Sequence, residues 1–194
     1  LIDEKDIIKY YTFFKRTIFD PLNIDTDKIW IAGGSIREYI LNKSLDGTDL
    51  DFYFTNADTM NSFMNKLEMN NSLQVTLDTK NAYNCNIIIN KVQYEVDIIK
   101  RFHSDLHECI NSFDFTMCCF AMSKSQFVYK ETAMNHLRNK QLVINTIGHN
   151  PVSSFKRIVK FSKRGYSIHN AYIDDYVRRI NEMKPENLDF NSLY

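Results

Sequence analysis

"IAGGSIREYILNKSLDGTDLDFYFTN", residues 31–56, decides the reading of this chain. An apolar run ending at Ala32 meets the pair Gly33-Gly34, a helix-forming stretch follows, and Asp49 and Asp51 then stand one residue apart in a second apolar, aromatic run. On a strand, residues i and i+2 share a face, so the two aspartates project side by side while Leu50 points into the core. Adjacent like charges raise each other's pKa unless a cation neutralises them. Oxygen-only ligation by paired carboxylates suits Mg²⁺, which keeps several waters and completes its shell with phosphate oxygens. "DGTDLD" reads equally as a polar turn whose aspartates solvate the strand entrance, so the neighbouring sequence has to decide.

Upstream, "KIWIA" (28–32) reads as a short buried strand, Gly33-Gly34 as a tight turn and "SIREYILN" (35–42) as a helix. Glycines between a strand and a helix N-terminus make a phosphate cradle: backbone N–H groups and the positive end of the helix dipole, with Ser35 adding a hydroxyl and Arg37 one helical step inside. Downstream, "YEVDIIK" sets Asp97 in an apolar strand with Val96 and Ile98 on the opposite face. A carboxylate there is costly unless it meets a metal or a partner, and Glu95 is the alternative for that role. A phosphate cradle, a carboxylate pair and a third acid are together the parts list of metal-dependent nucleotidyl transfer.

The remaining pattern is α+β. Ile7, Tyr11, Phe14 and Ile18 recur at helical spacing ahead of Pro21. Asp46-Gly47 marks a turn, 49–55 a strand and 57–69 a helix. Residues 84–90 and 92–100 are β-branched runs joined through Asn90-Lys91 as a hairpin. A helix is expected over 104–112, two strands in "FTMCCFAMS" and "QFVYKE", a helix near 131–138, and from Pro151 two helices, about 152–164 and 169–183. The expected architecture is a mixed β-sheet with flanking helices over residues 1–146, then a short helical neck over 147–194. Tyr53 and Phe54 read as core aromatics rather than a base-stacking platform.

Composition narrows the class. With 194 residues, 44% hydrophobic and 25% charged, the chain is globular rather than disordered. No apolar run reaches the roughly 20 residues that cross a bilayer, and the start lacks the order of a secretory signal, so a cytoplasmic protein without membrane partners is expected. It begins with Leu1 rather than Met, which leaves room for a preceding segment. Cysteines at 85, 109, 118 and 119 show no metal or disulfide spacing and read as core residues of a reducing compartment. His103 and His107 read as partly exposed helix residues. Residues 1–150 carry 16 Lys+Arg against 19 Asp+Glu and residues 151–194 carry 8 against 5, the excess lying in "SSFKRIVKFSKRGYSI". That block is either an anion-binding face or the solvated side of a helix.

These motifs resemble the DNA polymerase β-like nucleotidyltransferases, in the branch of class II tRNA CCA-adding enzymes and bacterial poly(A) polymerases, which read like GGxVRDxLLG followed by DxDxxT. "YEVDIIK" looks like the family's third-acid strand, "FDFTMCCFAM" like RDFTINAMA, and "RIVKFSKRGYSI" like its neck helix, so the resemblance covers roughly residues 28–170. It implies that Asp49, Asp51 and Asp97 hold two Mg²⁺ ions, that Gly33, Gly34, Ser35, Arg37, Asp114, Arg157 and Lys160 bind an NTP (ATP and/or CTP), and that Lys163 and Arg164 meet RNA. The implied reaction moves a nucleoside monophosphate from the NTP to an acceptor hydroxyl, first an RNA 3′ end such as that of tRNA. The alternatives are a protein or small-molecule acceptor, or a catalytically silent binding module of the same fold. The chain departs from the pattern in several places. Glu38 replaces an Asp, the segment from Gly33 to Asp49 is about two residues longer, Ser112 and Phe113 replace two arginines, and Lys160 replaces another. The base-reading EDxxR-like element is missing, with "DDYVRR" (174–179) the nearest text.

Overall fold

The computed structural model describes residues 4–146 and 151–182. Contacts divide the chain into two units: the described residues up to Ile110 together with Phe120–Tyr129, and Asn111–Cys119 together with the described residues from Lys130 onward. Residues 111–119 and 130–146 thus group with the C-terminal helices, and a division at 146/147 stands as an organisational proposal only.

In the first unit, α1 (Glu4–Phe14) runs into a π-helical turn over Lys15–Phe19 and buries Tyr10, Phe14, Ile18 and Phe19. Then come β1 (Ile29–Ala32), α2 (Gly34–Asn42), β2 (Leu50–Phe54), α3 (Ala57–Met69), β3 (Leu73–Asp78), β4 (Ala82–Ile89), β5 (Val92–Phe102), α4 (Leu106–Asn111), β6 (Phe120–Ser123) and β7 (Phe127–Tyr129). The strands form one seven-stranded sheet in the order β3-β4-β5-β2-β1-β6-β7. β2 and β5 pair in parallel and every other neighbour is antiparallel. Alternation on β2 buries Leu50, Phe52 and Phe54 completely, and Phe63 of α3 covers the two phenylalanines with ring centroids at 5.2 and 5.6 Å. Asp51 and Tyr53 take the other face. Asn56 starts α3 in the manner its sequence implies, its side chain accepting from Thr59 N–H at 2.9 Å.

The second unit holds a 3₁₀ turn (Thr116–Cys118), α5 (Ala133–Arg138), β8 (Gln141–Leu142), α6 (Pro151–Lys163), β9 (Ser167–Ile168) and α7 (Asn170–Glu182), with β8 and β9 paired in parallel. Phe115, Met117, Leu137, Leu142, Ile158, Phe161 and Tyr176 are buried there, and Phe115 meets Phe161 edge to face at 6.0 Å.

The mixed sheet with flanking helices is the architecture expected, with three corrections. β3 goes unread because five of its six residues are exposed at the sheet edge, although Leu73, Val75 and Leu77 alternate. "FTMCC" is not strand: the Thr116 N–H donates to the Val143 carbonyl and Thr116–Cys118 close a 3₁₀ turn, so β6 begins only at Phe120. A short apolar run is buried either way, and periodicity cannot separate the two states. His103 precedes α4 rather than lying on it and is 6% exposed, while His107 is exposed. The expected end of the last helix beyond residue 182 falls outside the described residues.

Candidate active site

The cradle forms where β1 turns into α2. Gly33 sits at φ 79° and ψ −115°, its N–H bound to the Phe120 carbonyl at 2.9 Å and its own carbonyl accepting from Arg37 N–H at 3.2 Å. The first turn of any helix leaves backbone N–H groups without intrahelical partners, and here that turn lies beside Asp51. A Cβ built on Gly34 comes 3.8 Å from Asp51 Oδ2 and 3.9 Å from Arg37 Nη2, ordinary contact distances that place the start of α2 beside the acid and the guanidinium. Ser35 is fully buried, and its Oγ is a polar atom with no hydrogen-bond partner. Arg37 is 7% exposed and pairs with Glu38 at 2.8 Å.

The parallel β2–β5 pairing makes Asp51 and Asp97 direct register partners. Two carboxylates 46 positions apart in sequence therefore lie side by side on one face of the sheet. Asp49 stands exposed immediately before β2, which begins at Leu50, one residue later than the strand expected over 49–55, so Asp49 is not a strand position sharing a face with Asp51. Burial raises the pKa of Asp97 above its ordinary value, the Asn84 amide opposes this, and the charge of Asp49 raises it further. Glu95, the alternative third acid, is exposed near the hairpin end of β5. Nearby thiols are inert: burial pushes Cys109 up to about 12 and Cys85 to about 11.

Among the described residues, no group of three or more His, Cys, Asp or Glu side chains is arranged to hold a metal ion. The donor set fits a hard cation that takes one or two carboxylates and completes its shell with water and phosphate oxygens. The orphaned Ser35 hydroxyl beside a glycine that no Cβ crowds fits a phosphate neighbour.

The remaining expected residues lie in the second unit. Asp114 is engaged by Arg157 and accepts from Ser154 Oγ at 3.0 Å, which ties the first turns of α6 to the chain ahead of it. Burial pushes the Tyr176 hydroxyl up to about 12, and its ring stacks on Phe155 at 6.2 Å. Lys156, Lys160, Lys163 and Arg164 are exposed on or just after α6, opposite buried Ser154, Ile158 and Phe161. Of the "DDYVRR" stretch, Arg178 pairs with Glu182 at 3.5 Å, and the side chains of Asp175 and Arg179 lie outside the described residues. Sequence reading missed Asn84: in "NCNIIIN" only its place in the alternation marks it as facing away from Cys85.

Chain order, sheet topology and the glycine turn facing Asp51 define a nucleotidyltransferase-like fold. Solved structures share it. The Thermotoga maritima CCA-adding enzyme complexed with tRNA matches at TM-score 0.54 and 14% identity, over 92% of this chain and 44% of that one. The Bacillus stearothermophilus CCA-adding enzyme in complex with CTP matches at 0.51 and 14%, over 87% and 42%. The family model for Gabija anti-defense 2 proteins matches residues 4–140, and the chain belongs to that family. "Gabija anti-defense 2" of Bacillus phage SPbetaL7 is 28% identical over 163 residues, 82% of this chain and 38% of the relative. The chain spans less than half the length of these relatives.

Proposed function

We propose that the chain acts against the Gabija defence as a metal-dependent nucleotidyltransferase, moving a nucleoside monophosphate from ATP or CTP to an acceptor hydroxyl, first an RNA 3′ end. The observation that carries the reading is the register pairing of Asp51 with Asp97 beside the Gly33-Gly34 turn. Asp49, Asp51 and Asp97 would hold two Mg²⁺ ions, which supply charge neutralisation at the leaving group and a lowered pKa at the attacking hydroxyl. The α2 N-terminus at Gly33-Gly34 and the Ser35 hydroxyl bind the triphosphate tail, and Arg37 stands by as a cation held by Glu38. Lys163 and Arg164 serve the backbone of an RNA acceptor, and Asp114, Arg157 and Lys160 are the further nucleotide contacts of this proposal. The cytosol, where cysteines stay reduced, is the proposed compartment. A silent binding role is favoured by one observation, that Ser112 and Phe113 stand where the resembled element carries two arginines.

The test incubates the protein with Mg²⁺, each α-labelled NTP in turn, and either RNA lacking its 3′ end or a lysate of Gabija-bearing cells. Asp51→Ala is the control. Label on RNA with wild type, lost in the variant by more than the roughly 10–100-fold cost of an outer-shell change, supports the reading. Label on protein alone moves the acceptor to that class. No label anywhere, with the variant still suppressing Gabija in cells, leaves the silent module.

A further inference from the structure

We propose that Asn84 is a positioning residue of the carboxylate site: its amide holds Asp97 in the orientation that receives a divalent cation, and the bulge between β3 and β4 holds Asn84 in turn. The inference rests on Asp97 being a metal ligand, as above.

Asn84 is the direct antiparallel partner of Asp97, and its Nδ2 donates to Asp97 Oδ1. A carboxylate only accepts, so the amide must present its NH₂ group and the contact has a single orientation. The bond engages one oxygen of Asp97, Oδ1, and under this proposal leaves Oδ2 to a cation. Reading across the sheet, Asp51, Asp97 and Asn84 form one row of register partners. Asparagine is a poor strand former, and β4 is an interior strand with β3 and β5 on its two sides. Its place there is explained by the bond it makes.

The bulge supplies the second half. Register between β3 and β4 shifts between Val75 and Leu77, so Thr76 is the extra residue, and its hydroxyl donates to the Asn84 carbonyl at 2.9 Å. A bulge beside an active site is a common way of re-aiming a side chain. The Asn84 backbone is thus clamped from one strand while its side chain serves the other. Glutamine overreaches by a methylene, serine falls short, and aspartate repels Asp97.

The test is Mn²⁺ binding to the nucleotide-free protein, followed by the paramagnetic resonance of free Mn²⁺, for wild type, Asn84→Ala, Asp97→Asn and the double variant, with thermal unfolding in chelator as the folding control. Asn84→Ala is expected to weaken Mn²⁺ binding roughly tenfold, as outer-shell changes do. The double variant is expected to bind no worse than Asp97→Asn alone, since the amide acts only through Asp97. If Asn84→Ala unfolds, Asn84→Val, a strand former, takes its place with the same expectations. Wild-type Mn²⁺ affinity in the Asn84 variant beside a weakened Asp97→Asn would overturn the positioning role and leave the site intact, as would full additivity. Equal Mn²⁺ binding by wild type and Asp97→Asn would overturn the carboxylate site, and this inference with it.

Discussion

At Gly33, φ 79° with ψ −115° is a conformation that an L side chain adopts only under strain, and the Phe120 carbonyl pins it there. Gly33→Ala is therefore expected to cost about 1–3 kcal/mol in denaturant unfolding. Gly34 differs: an added Cβ meets Asp51 and Arg37 only at ordinary contact distance, 3.8 and 3.9 Å. Gly34→Ala should leave the unfolding free energy within about 1 kcal/mol of wild type and abolish NTP binding by filling the cradle, which titration calorimetry would read. His103 carries a pH dependence of its own. Burial lowers its pKa, Arg101 lowers it further, and Glu108, with Oε1 3.9 Å from Nδ1, and Asp105 raise it in part. A histidine buried neutral binds fewer protons folded than unfolded, so stability is full above its unfolded value near 6.5 and declines as pH falls through the folded one. His103→Gln should flatten the melting temperature between about pH 7 and pH 5, and a variant that tracks wild type there would remove His103 as the cause.

At the scale of elements, each unit contains one local construction around an expected site residue. The β3–β4 bulge and Asn84 address Asp97. Asp114, with Ser154 and Arg157 on it, anchors the start of α6, and the Asp114 carbonyl accepts from Asn145 N–H at 2.7 Å. Because Arg157 is about half exposed, the pair is worth less than a buried one, so Asp114→Asn should cost about 1 kcal/mol of stability. A larger fall in NTP affinity than in stability would assign Asp114 the nucleotide contact proposed for it. No loss of either would mean that α6 holds without the Asp114 charge.

For the whole molecule, charge is unevenly divided. The excess of 8 basic over 5 acidic residues after position 150 sits beside an excess of 19 acidic over 16 basic before it. An exposed basic face on α6 is expected to bind RNA through counterion release. Replacing Lys160, Lys163 and Arg164 by Ala should flatten the slope of log affinity against log salt by about 2 for a single strand, at roughly 0.7 per contact. An unchanged slope would make the face a solvated one. The same variant in Gabija-bearing cells would tell whether that binding serves the proposed action against Gabija.

Legibility followed the range of the interactions concerned. The glycine turn, β2, the β4–β5 hairpin and the helices after Pro151 were readable because each rests on contacts within a few residues: alternation, turn chemistry and helical spacing. The acids were legible as misfits, since Asp51 and Asp97 interrupt runs whose alternate positions are buried. β3 escaped because an edge strand exposed on both faces carries little hydrophobic signal, and the 3₁₀ turn at Thr116 because its stabilising carbonyl belongs to Val143. Sequence by itself thus determined which residue types make up the candidate site and the mixed α+β architecture that carries them. Tertiary structure alone decided that Asp97 stands beside Asp51, that Asn84 holds Asp97, and that Asp114 engages Arg157. Strand pairing and side-chain contacts between distant positions are set by packing of the whole chain, and no local pattern encodes them.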